Sequence, residues 1–264
     1  MDTGRIAAPE HLVEVGVTVF LLIACLLLPL FPFSMPFNAL LAWLNRPALR
    51  FAVVLGVPQL GVLALGLVAQ PLPGWLSAWA LASAVFYAIR LLSVRDLGMW
   101  AGFLATSALA LVWHVAANGA APLELHRVAF GLSLPPALLM LLAGTLTRRF
   151  GAAYAGLHGG LARCLPRWSR LLVLVVLAAI ATPVFPGFFI LLDLVLDTGW
   201  SSAAVVLFIW LIWSWAGTRL LQGFVFDACR EVEIRDLRPA AVATYSGVLV
   251  LFVVAGLIVM GGLP

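Results

Sequence analysis

Charge is what this chain has least of. Only 10% of its 264 residues are charged and 64% are hydrophobic, whereas soluble domains carry about 25% charged residues. That shortage excludes an ordinary soluble domain. In hydrocarbon every backbone polar group needs an internal partner, so the expected fold is all-α, a polytopic membrane helical bundle. Lysine is missing altogether, and the net charge of +4 is carried by fifteen arginines against eleven acids. Basic loops beside apolar spans are what the positive-inside rule predicts, so the charge does not indicate nucleic acid. Cysteine is scarce and scattered (Cys25, Cys164, Cys229), without the paired spacing of a disulfide framework or metal site. Four histidines and few acids supply no nucleophile–base set and no ligand cluster. No catalytic residue, cofactor or metal is expected.

Long apolar runs are what the chain has in abundance. Crossing about 30 Å of hydrocarbon takes about 20 apolar residues, and eight spans are expected, roughly 11–31, 51–69, 75–93, 97–117, 125–146, 170–197, 201–223 and 240–262. Together they make residues 1–264 one transmembrane domain. Placing the N-terminus outside puts Arg46, Arg50, Arg90, Arg95, Arg148, Arg149, Arg163, Arg167, Arg170, Arg219, Arg230, Arg235 and Arg238 on the inner side. Only Arg5 and Arg127 are then left outside. This bias predicts a protein of the inner (cytoplasmic) membrane with both termini periplasmic. Residues 37–50 read as an amphipathic helix along the inner surface. The connectors 151–170 and 226–239 read as cytoplasmic and suit contact with a soluble subunit.

The sixth span, containing ATPVFPGFFILLDLVLDTG, is interrupted. Pro183 and Pro186 each remove a donor and clash with the preceding turn, and Gly187 loosens the same place. Such a break needs protein or a polar cavity around it, and discontinuous helices often line transport paths. Asp193 and Asp197, one turn apart, share a face beyond it. An acid in hydrocarbon faces a bundle interior or pairs with a cation; an acid at the helix end is merely hydrated. Glu14, His114 and His126 complete the candidates for a proton or ion path. Each can also be read as an ordinary interfacial residue.

The order of these features resembles a known family. Ala143-Gly144 ends an apolar helix, a basic connector follows with Gly159-Gly160-Leu161-Ala162-Arg163 and Pro166, and a helix broken over Pro183 to Phe189 comes next. WAGTRLLQGFVFD and DLRPAAVATYSGVLVLFVVAGL close the series. This run is similar to the C-terminal half of the antiporter-like membrane subunits of respiratory complex I (the proton-translocating NADH-quinone oxidoreductase) and of Mrp cation/proton antiporters. The likeness is good over 125–262 and weaker over 80–125, where residues 96–117 stand where the family has a D-L-K-R-type helix. The family's charged residue after the break falls at Leu191. Its D-L-K lysine falls at Gly98, and its relay histidine falls near Leu132, beside Pro135-Pro136. A lysine-switched relay therefore cannot run in this polypeptide alone.

The resemblance implies a reduced antiporter-like subunit of a multisubunit ion-translocating membrane complex, complex I-like or an energy-coupled inorganic-carbon or cation uptake system. It implies other membrane subunits as partners, and the chain would contribute a helical interface and one proton half-channel. Two alternatives stand beside it: an autonomous small transporter or channel, and a structural or assembly subunit with no ion path.

Overall fold

The computed structural model describes residues 10–68, 70–157, 159–226 and 235–260, with side chains between Gly16 and Val259. Within these ranges the chain forms α1 (Glu10–Leu27), α2 (Ser34–Trp43), α3 (Pro47–Gly66), α4 (Gly74–Leu91), α5 (Leu97–Ala117) and α6 (Pro122–Phe150). After these come α7 (Leu161–Cys164), α8 (Pro166–Ala179), α9 (Pro186–Asp197), α10 (Trp200–Val225) and α11 (Pro239–Met260). Among the described residues six helices, α3, α4, α5, α6, α10 and α11, are long and apolar enough to cross a membrane. The broken span is α8 followed by α9. The chain is a polytopic helical membrane bundle, as its composition predicts.

The bundle is built around α5. Its sequence is apolar on every side, and a helix of that kind is a buried one; every residue from Trp100 to Val115 is buried. Small residues such as Ala101, Ala105 and Ala108 let α4 and α6 approach from two sides. The α3 helix lies against α6, α1 against α3, and α10 against α4 and α9, while α11 covers α8 and α9. Two close approaches explain local sequence. The Pro47 ring occupies the space a side chain at Gly144 would need, and Pro186, at the start of α9, does the same at Gly256 of α11.

The helix α1 covers Glu10–Leu27 of the expected 11–31 span, and α2, at the start of the expected 37–50 surface helix, packs one face on α5 and leaves Met35, Leu40 and Trp43 exposed. Asn38 donates to the Thr106 hydroxyl (3.1 Å) and Ser34 bonds the Tyr87 hydroxyl (2.6 Å). These polar groups of α2 find partners inside the bundle.

The helix break is lined by protein on one side. Between α8 and α9, Ala181 (φ 55°) and Val184 (φ 91°) adopt left-handed conformations, each costing on the order of 1–3 kcal/mol for a side-chain-bearing residue. Two of the carbonyls freed here find other donors. Leu177 accepts from the amide and the hydroxyl of Thr182 (3.1 and 3.0 Å), and Ile180 accepts from the indole of Trp210 on α10 (3.1 Å). Ile180 and Ala181 are buried, while Pro183 and Val184 are exposed.

The arginine-bearing helix ends are tied together. The connector after α6 bonds the start of α5 (Leu97 amide to Ala153 carbonyl, 2.9 Å) and the end of α10 (Gly156 amide to Gly223 carbonyl, 2.9 Å). Asp236 accepts from the amides of Arg167 and Trp168 (2.7 and 3.2 Å), capping α8. An acid there also meets the positive end of the helix dipole. The expected partner surface 226–239 is described only at Phe226 and from Arg235 onward. Cys164 is disulfide-bonded, which corrects its reading as an incidental thiol; Cys25 is a half-buried free thiol.

Candidate functional site

At the end of the bundle opposite these arginine-bearing ends, the last turns of α5, α9 and α11 meet the first turns of α6. They surround a cavity of about 450 Å³ lined by His114, Asn118, Glu124, Arg127, Asp193 and Asp197 among others. Sequence alone put Asp193 and Asp197 on one helical face; the fold adds the residues that share the cavity with them. Both acids stand in the last turn and a half of α9, where the helix dipole disfavours negative charge. Both are exposed, as acids at a hydrated helix end are. Facing them, Arg127 supplies a cation and Glu124 a third carboxylate, three residues apart on α6.

His114 is the buried member of the set, 1% exposed. Its Nδ1 lies 2.7 Å from the Ser77 hydroxyl of α4, and its Nε2 lies 3.3 Å from Asn118 Nδ2. With Asn118 Nδ2 as donor, Nε2 accepts, and Nδ1 faces the Ser77 hydroxyl, which can both donate and accept. His126 is separate: half-buried, it bonds Gln59 of α3 (2.7 Å) and does not line the cavity. Glu14 lies in α1, but its side chain is outside the described residues. Of the five path candidates named from sequence, three (His114, Asp193, Asp197) come together.

A second cavity, of about 610 Å³, opens at the arginine-bearing end between α2, α4, α5 and the connector, lined by Asn38, Arg50, Tyr87, Arg90 and Asp96 among others. A methyl group added to Gly98 would stand 3.2 Å from both Arg50 Nη1 and the Asp96 carboxylate. The space beside position 98 is thus filled by a guanidinium from α3, which also donates to the Leu44 carbonyl at the end of α2 (2.6 Å). Arg90 lies over the Phe103 ring, 4.7 Å from its centroid, within cation–π range. Sequence reasoning missed Asn38, Thr106, Ser34 and Tyr87, because single polar residues in apolar runs carry no periodic signal.

Between the two cavities α5 has an apolar stretch. From Ala108 to Trp113 α5 is buried without a polar side chain apart from the Trp113 indole, which donates to the Leu28 carbonyl (3.0 Å). Leu132 and Leu191 are likewise buried in the core.

Neither a family model nor a curated protein matches the sequence. Solved structures do match by fold. One is a chain of the Mrp complex from Dietzia sp. DQ12-45-1b (TM-score 0.73, 17% identity, covering 87% of this chain and 45% of that one). Another belongs to respiratory complex I from Thermus thermophilus with bound NADH (0.70, 24%, 92% and 56%). A third belongs to the membrane-bound sulfane sulfur reductase, an archaeal respiratory membrane complex (0.76, 16%, 94% and 56%). The chain spans about half the length of each. It therefore has the helical fold found in chains of Mrp, complex I and sulfane sulfur reductase membrane complexes, over roughly half of their extent.

Proposed function

We propose that the chain is a reduced antiporter-like subunit of a multisubunit ion-translocating membrane complex, complex I-like or an energy-coupled uptake system. It contributes a helical interface and one proton half-channel. The observation that carries this reading is the cavity beyond the broken helix, where Asp193, Asp197, Glu124 and Arg127 adjoin buried His114, in a fold shared with such complexes. The arginine distribution supports an inner-membrane setting with this cavity on the periplasmic side and both termini periplasmic. Other membrane subunits are the partners, and a soluble subunit at the connectors 151–170 and 226–239 is part of the same reading. Any redox chemistry belongs to those partners.

The apolar stretch of α5 favours a second reading, in which the chain is an interface subunit and conducts nothing. Asp193→Asn separates the two. It keeps nearly the same shape and removes the titratable group, so the half-channel reading expects coupled ion transport to fall at least tenfold. The complex recovered in mild detergent should meanwhile keep its composition. Unchanged transport removes the residue from the mechanism and leaves the interface role, and a chain that purifies stably and actively without other membrane proteins rejects the subunit reading altogether.

A further inference from the structure

Two arginines at the arginine-bearing end share one small cavity. The end of α4, the connector after α6 and the late turns of α10 enclose about 290 Å³, lined by Arg95, Arg219, Gly156, Ala216 and Gly223 among others. No acid lines it among the described residues. The two acids whose side chains are described at this end are engaged elsewhere. Asp96 accepts from the Met99 amide (2.8 Å) and caps α5, while Asp236 caps α8. The Arg219 guanidinium reaches the Leu92 carbonyl at 3.5 Å, a long contact that leaves most of its donors free. The Arg95 side chain makes no hydrogen bond or ion pair among the described residues. Two guanidiniums beside one small-walled cavity suit a phosphate, whose oxygens accept the paired N–H groups of arginine.

Depth decides what carries that phosphate. Arg219 stands 19 residues beyond Trp200, the first residue of α10, which at 1.5 Å per residue is about 29 Å. Hydrocarbon is about 30 Å thick, so the guanidinium stands at headgroup level. One and two turns deeper on the same face, Trp215 and Leu211 are 61% and 64% exposed, and Phe208 continues the stripe. These side chains offer an acyl chain an apolar track directly beneath the cation, from which a dissolved phosphate gains nothing. We propose that the cavity binds the phosphate of an anionic phospholipid between Arg95 and Arg219, with an acyl chain along Trp215, Leu211 and Phe208. Basic pockets between membrane helices bind anionic headgroups in this way. The site lies at the other end of the bundle from the Asp193 cavity and does not depend on the half-channel reading. The lipid joins α10 to the segment after α4 through charge that the described residues leave unpaired.

The test is native mass spectrometry of the full chain, with any subunits that accompany it, released from nanodiscs of equal parts phosphatidylglycerol and phosphatidylcholine. Both lipids carry the phosphate, but choline adds a cation beside it, so the pair isolates headgroup charge. Wild type should retain phosphatidylglycerol in preference. Arg95→Gln and Arg219→Gln should each lower that preference about fivefold, the worth of one arginine near an anionic surface, and the double variant should lose more than either. Both side chains are exposed, so glutamine leaves the core intact. Arg170→Gln removes an equal charge from an exposed arginine outside the cavity and should leave the preference unchanged. Equal losses in all three single variants, or no preference in wild type, overturn the proposal, since the arginines then act as general surface charge. If excess inorganic phosphate displaces the lipid, the site belongs to free phosphate and the lipid assignment falls. If the Arg95 and Arg219 variants shed a companion protein with lipid retention unchanged, the cavity is a protein-docking surface and the proposal falls as well.

Discussion

Asp193 and Gly98 show how the meaning of a single position depends on what the fold sets beside it. In sequence, Asp193 is an acid near a helix end, and four residues on stands another. In the structure it shares a cavity with Glu124, Arg127 and buried His114, none of which is near it in the chain. One hint was present beforehand: Arg127 is one of only two arginines on the wrong side of the charge map, as a cation kept there for local company would be. Gly98 carries the opposite lesson. Its small size is set by the Arg50 guanidinium filling the space beside it. Gly98→Leu should therefore expel that guanidinium and destabilise the chain by about 1–3 kcal/mol, the usual cost of overpacking. Thermal unfolding in detergent measures this as a lowered Tm, and adding Arg50→Ala should recover part of the loss, since residues in contact are energetically coupled. Equal and additive losses would mean that the two side chains do not compete for one space.

Among the elements, the broken span was legible and the partners of α2 were not. Two prolines and a glycine within five residues forbid a regular helix whatever surrounds them, so Pro183 to Gly187 announced the interruption between α8 and α9. What occupies the freed carbonyls was not legible, because the Trp210 indole that bonds Ile180 lies thirty residues away on α10. Trp210→Phe keeps most of the packing and leaves that buried carbonyl without its donor. An unsatisfied buried acceptor costs about 1–3 kcal/mol, so Tm should fall, and hydrogen exchange at the Ala181 and Thr182 amides should quicken while α5 stays protected. An unaltered Tm would mean that water or lipid replaces the indole at no cost. The inward contacts of α2 were not legible either, because its polar pairs Asn38–Thr106 and Ser34–Tyr87 join residues more than fifty positions apart.

For the whole molecule, the orientation read from arginine makes a direct prediction. A cysteine at Ser201 should react with a membrane-impermeant thiol reagent added to the periplasmic side of intact cells, and one at Ala152 should react only after the membrane is opened. The reverse pattern would invert the bundle and turn the Asp193 cavity toward the cytoplasm. By itself the sequence determined that this is a helical membrane bundle, where its apolar runs lie and which one is broken. These follow from hydrocarbon thickness, backbone hydrogen bonding and proline chemistry, all of which act locally. Only the tertiary structure decided which polar groups share a cavity. It set His114 between Ser77 and Asn118, put Arg50 beside Gly98 and turned His126 away toward Gln59. The reason is geometric: a helix fixes which residues share a face, but the groups that face arrives beside belong to other helices, and packing of those helices alone brings them within reach.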